Sequence, residues 1–178
     1  SLMHYRERSG VSAALFPIQS KPAVQTDIEV LTALAARLAN PASPVVVPID
    51  SMSMNTDLLR QVYTQRMTIA APDLYPVPQV DSRDGLPWSS LIGDDGRTVL
   101  LSTSWVPSLP AGNRNLMSVN TFLKQPIAAR WIRSSEPVTG GHIGGMTDLR
   151  IVQVSIPESE AIEFARAIRP FLPQADTH

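Results

Sequence analysis

The chain has 178 residues, 43% of them hydrophobic, enough for one globular domain, 1–178, with a buried core. Fifteen basic and sixteen acidic residues leave a formal net charge of −1, a balance that argues against general affinity for nucleic acid or an anionic membrane. Cysteine is absent, which excludes disulfides, thiolate nucleophiles, iron–sulfur clusters and cysteine-ligated zinc, and leaves the compartment open with the cytoplasm as the default.

No apolar run approaches the roughly 20 residues that span a bilayer, and the start lacks a charged region followed by an apolar one. Ser1-Leu2 ahead of Met3 reads as a cloning remnant, with the native start at Met3 or the chain excised from a longer protein. Only Lys21 and Lys124 are lysine, so arginine dominates the cations. Its fork suits carboxylates and phosphates, although genome composition produces the same bias.

The first predicted unit, 11–71, alternates strand-like runs with helical periodicity in the order β-α-β-α-β, which favours parallel pairing. Val11 to Ile18 reads as a buried strand. Thr26-Asp27-Ile28-Glu29 has the form of a capping box opening a helix to about Asn40, with Ile28, Leu31, Leu34, Ala35 and Leu38 as its apolar stripe. Val45 to Ile49 is a strand covered on both faces, with Pro48 at its end or beside a bulge. Asn55 or Thr56 caps a helix to about Arg66, and Met67 to Ala70 is a short strand.

Residues 72–96 are rich in proline and aspartate and predict an irregular segment with hairpin turns at Asp84-Gly85 and Asp95-Gly96. The third part, 97–172, opens on the alternating run Arg97 to Val106, a half-exposed antiparallel strand. A turn-rich stretch from Pro107 to Asn115 and a short helix from Leu116 to Lys124 follow. Strands come next at Ile127 to Arg133 and Leu149 to Ile156. Pro157 then opens a helix, Glu158 to Ile168, whose stripe is Ile162, Ala165 and Ile168 and which Pro170 stops. The fold class is therefore mixed α/β: a parallel start, antiparallel strands after it, and a C-terminal helix packed on the sheet.

Gly140-Gly141-His142-Ile143-Gly144-Gly145 holds four of the nine glycines and the only histidine far from a terminus. Paired glycines permit positive φ and let backbone amides converge on an anion, and His142 offers proton transfer or metal ligation. The loop lies between predicted strands and matches neither GxxxxGK[ST] nor GxGxxG, so a plain hairpin loop explains it equally. Residues 111–157 carry five basic side chains against Glu136 and Asp148, net +3. If the flanking strands pair, Arg133 and Arg150 fall at the strand end beside Gly141, His142 and Gly144 as a basic mouth for a carboxylate or phosphate. Pairing of those arginines with Glu136 and Asp148 is the competing reading.

Asp81, Asp84, Asp94 and Asp95 fit no calcium-loop spacing and read as turn residues, so neither a metal nor a cofactor is expected. Ser102 or Ser104 with His142 and an aspartate makes only a paper triad, since nothing has the G-x-S-x-G form. Trp105 and Trp131 read as core. Trp88, beside Pro87, reads as the exposed aromatic of a partner surface. These features rank a non-catalytic binding or accessory domain for a protein partner or small anionic ligand first. A hydrolase or transferase using His142 as acid or base comes second, and a structural or self-associating module docking through 72–88 third.

Overall fold

The computed structural model describes residues 17–39, 43–75, 88–106, 114–138 and 143–173, and for 17–26 the backbone alone. Its elements in chain order are helix α1 (Pro17–Arg37), strand β1 (Val45–Val46), helix α2 (Thr56–Gln61) running into a π-helical turn (Val62–Arg66), and strand β2 (Leu74–Tyr75). A 3-10 turn (Trp88–Leu91), strand β3 (Gly93–Leu101), helix α3 (Arg114–Leu123), a second 3-10 turn (Pro126–Trp131) and strands β4 (Ile132–Pro137) and β5 (Arg150–Ile156) follow. The last pieces are a 3-10 turn (Glu158–Glu160), helix α4 (Ala161–Ile168) and a closing 3-10 turn (Arg169–Phe171).

The five strands make one mixed sheet in the order β2-β1-β3-β5-β4. β1 runs parallel to both neighbours, with Val45 beside Leu74 and Thr98, whereas β3–β5 and β5–β4 are antiparallel. This is the expected parallel start and antiparallel continuation. Val45, Val46, Val47 and Ile49 are all buried, as an unbroken β-branched run with cover on both faces requires. Leu31, Leu34, Ala35 and Leu38 bury the predicted face of α1. Tyr63 ties that helix to the turn after α2: its hydroxyl donates to the Ala35 carbonyl at 2.6 Å, and burial pushes its pKa up to about 12.

Several local expectations are corrected. Pro17 and Ile18 belong to α1, while 11–16 lie outside the described residues. Thr26 consequently sits inside a helix rather than capping one. Asn55 is the true cap of α2, accepting from the Leu58 amide at 2.9 Å. Residues 67–70 form no strand, because Thr68 takes φ 52°, which a β-branched residue in a strand does not adopt. The strand comes later, at Leu74–Tyr75.

Asp95-Gly96 is no hairpin turn but an irregularity within β3, where the pairing with β5 shifts between Gly93 and Arg97 and Gly96 takes φ 75°. β3 is not half-exposed either. Thr98 through Ser102 are all buried, and the strand ends at Leu101. Ile127 to Trp131 belong to a 3-10 turn led by Pro126 at its first position, so β4 starts only at Ile132. On α4 the buried residues are Phe164 and Ile168, whereas Ile162 is 75% exposed. Phe164 packs edge-on against Phe122 at 5.5 Å and Trp131 at 5.3 Å, and Trp88 leans on it at 5.9 Å. That cluster docks the C-terminal helix onto the core.

Candidate functional site

The chain leaves β1 towards β2 on one side of the sheet, and leaves β3 towards β5 and β4 on the other. The carboxyl ends of β1 and β3 thus flank a point where the connections diverge, the place where open α/β sheets commonly hold ligands. Asn120 of α3, 1% exposed, spans it: Nδ2 donates to the carbonyls of Pro48 and, at 3.0 Å, Leu116, while Oδ1 accepts from the Ser102 amide at 2.9 Å. One buried amide therefore satisfies backbone groups just beyond the ends of both strands.

Beside it, Asp148 gathers donors from two segments, 102–104 and Lys124. Ser102 Oγ, Ser104 Oγ and Thr103 Oγ1 donate to its carboxylate at 2.5, 2.6 and 2.7 Å, the Thr103 amide at 2.9 Å and the Ser104 amide at 3.3 Å. Lys124 Nζ closes the set at 2.6 Å. Burial raises the pKa of this carboxyl, but the hydrogen bonds from Lys124, Ser102, Ser104 and Thr103 outweigh it and hold the group well below the usual carboxylate range. Such a carboxylate is a poor proton acceptor near neutrality.

Two tight turns meet at the same end of the sheet. Ser51 and Met54 bridge one, and Ile143 and Met146 the other, where Gly144 and Gly145 take φ 53° and 77°, the both-positive signature of a type I′ turn. The turns touch closely: a Cβ on Gly144 would lie 2.5 Å from the Cβ and Oγ of Ser53. Positive φ in the Gly loop is as the glycine pairs suggest, while Gly141 and His142 lie outside the described residues.

The basic mouth does not assemble as expected. Arg150 sits at the loop end of β5, opposite Pro137, but Arg133 lies at the far end of β4, in the irregular pairing next to Val154 and Gln153. About four residues of strand, roughly 13 Å, separate the two positions. Arg150 is occupied as well, its Nε and Nη2 donating to Ser135 Oγ and O at 2.7 and 2.9 Å. Neither acid pairs with these arginines: Glu136 meets Arg37 at 3.2 Å and Asp148 meets Lys124. Asp94 accepts from the Glu158 amide and Asp95 pairs with Arg97, while Asp81 and Asp84 lie outside the described residues.

A second feature lies along the C-terminal helix. Trp88, Ile162, Ala165, Arg166, Arg169 and Leu172 line an open groove of 460 Å³. Trp88, expected as an exposed aromatic, is only half-buried there and packs against the core; its neighbour Pro87 lies outside the described residues. Trp105 and Trp131 are core, and Trp131 Nε1 donates to Glu160 at 2.7 Å. Sequence reasoning missed Asn120 and the exposure of Ile162. The Ser102 and Ser104 spacing, which puts two hydroxyls on one side of an extended segment, was the available signal for the Asp148 cluster. No helix among the described residues is long and apolar enough to cross a membrane. No family model, curated protein or solved structure matches the chain.

Proposed function

We propose that this chain is a non-catalytic binding domain that engages a protein partner through the groove beside α4, with the cytoplasm as its default compartment. The observation that carries the reading is Ile162, 75% exposed in a groove it lines with Trp88, Ala165, Leu172, Arg166 and Arg169. Trp and Arg, which both line this groove, are the residues that most often anchor protein interfaces. The hydroxyls around Asp148 support the non-catalytic part, since they all donate into one strongly acidic carboxylate. Affinity capture with wild type and Ile162→Asp as parallel baits tests the reading. A partner retained by wild type and lost by the variant, with both proteins melting alike, is the expected result; equal retention by both sinks it.

A second reading, a small anionic ligand, is favoured by the type I′ Gly144-Gly145 turn lying where the carboxyl ends of β1 and β3 diverge. Phosphates and carboxylates at 100 times their dissociation constant would then add about 2.7 kcal/mol of stability to the wild type. His142→Ala would lose that gain.

A further inference from the structure

We infer that the partner segment held by this groove is acidic, with apolar anchors flanking a carboxylate; the inference rests on the docking reading above. Ile162, Ala165, Arg166 and Arg169 stand at i, i+3, i+4 and i+7 of one helical stripe. Along the axis that stripe passes from apolar to basic. Glu160 and Glu163 are engaged elsewhere, because Arg130 holds Glu160 at 3.1 Å and Glu163 at 2.8 Å and Trp131 also donates to Glu160. Arg166 and Arg169 are exposed and have no acidic partner among the described residues.

Both arginines lie in or just past the last turn of α4, where a cation offsets the helix dipole, but that role leaves their guanidinium donors open to a second group. The groove wall is firm, since Trp88 rests on buried Phe164 and little ordering is required on binding. A second recess lies on the other side of Arg166, lined by Ile127, Arg130, Trp131, Glu163 and Ala167. Arg166 therefore stands between two hollows of mixed apolar and charged lining, the second of which includes the Arg130–Glu163 ion pair. A guanidinium fork matches a carboxylate in two-point contact, so the complementary segment has aliphatic or aromatic side chains on either side of Glu or Asp. The net charge of −1 means that this is a local patch and not the field of the whole molecule.

Three synthetic peptides test the idea, sharing Leu and Phe anchors at helical spacing and carrying Glu, Gln or Lys between them. Their binding is read by calorimetry on wild type and on Arg166→Gln/Arg169→Gln. The Glu peptide should bind wild type about fivefold or more tighter than the Gln peptide, lose that advantage in the double variant, and weaken with salt. The salt series on wild type is informative even if the double variant folds poorly. Equal binding of all three overturns the acidic inference and leaves the docking groove standing. Binding of none overturns both. Wild-type self-association abolished by Ile162→Asp would show that a second copy of this chain fills the groove, and overturns the inference in its favour.

Discussion

Asp148 concentrates more donors than any other described side chain, and the consequence is linked to pH. Its folded-state pKa is depressed, so the stability it contributes is complete above the ordinary carboxylate value of about 4 and drains away as pH falls below it. Acid titration of the unfolding free energy should therefore show a slope below about pH 4 that Asp148→Asn flattens, and the same variant should cost about 2 kcal/mol at neutral pH through its weakened hydrogen bonds. Asn120 acts without charge. Asn120→Leu removes its donor and acceptor together and leaves the Ser102 amide and Pro48 carbonyl unpaired in the interior, an expected loss of about 2 to 4 kcal/mol by urea denaturation. Both residues are visible in the sequence only as ordinary polar side chains. Asp148 lies 46 positions from Ser102 and Asn120 lies 72 from Pro48, distances over which periodicity carries no information.

At the scale of elements, the contact between the Ser51–Met54 and Ile143–Met146 turns makes neighbouring glycines unequal. Gly145 has open space around the position of a Cβ, so Gly145→Ala should cost only the conformational penalty of positive φ, about 1 to 2 kcal/mol. Gly144→Ala adds a collision with Ser53 and should cost at least about 1 kcal/mol more. Ser53→Gly in that background should recover the difference, and a double-mutant cycle by denaturation measures it. Local pattern located the elements that follow one period. The β-branched run at 45–49 and the amphipathic face of α1 were legible because burial alone dictates them. The pattern failed where a polar residue is buried with a partner: Thr98 looks like a solvent-facing position of β3, but donates to Gln153 Oε1 at 3.1 Å. It failed again at 127–131, where Trp131 and Ile127 imitate a strand while Pro126 starts a 3-10 turn. On α4 a three-residue period through Ile162 and a four-residue period through Phe164 share Ile168, and ring volume decided between them.

For the whole molecule, the aromatic cluster joins the last helix to α3, the second 3-10 turn and the groove wall. Phe164→Ala should cost about 3 to 5 kcal/mol, read as a fall in melting temperature, and should also loosen Trp88, read as altered tryptophan fluorescence below the transition. The mixed class of the sheet was legible from the order of apolar runs, but the placement of β5 between β3 and β4 was not, since it depends on pairings far apart in the chain. That placement matters during synthesis. While the ribosome is still making the chain, β3 has β1 along one edge, but its other edge waits for a strand that ends at Ile156. A nascent chain stalled before Arg150 therefore carries the apolar backbone of Val99 to Leu101 with one side unpaired, a template for aggregation that only synthesis through β5 removes.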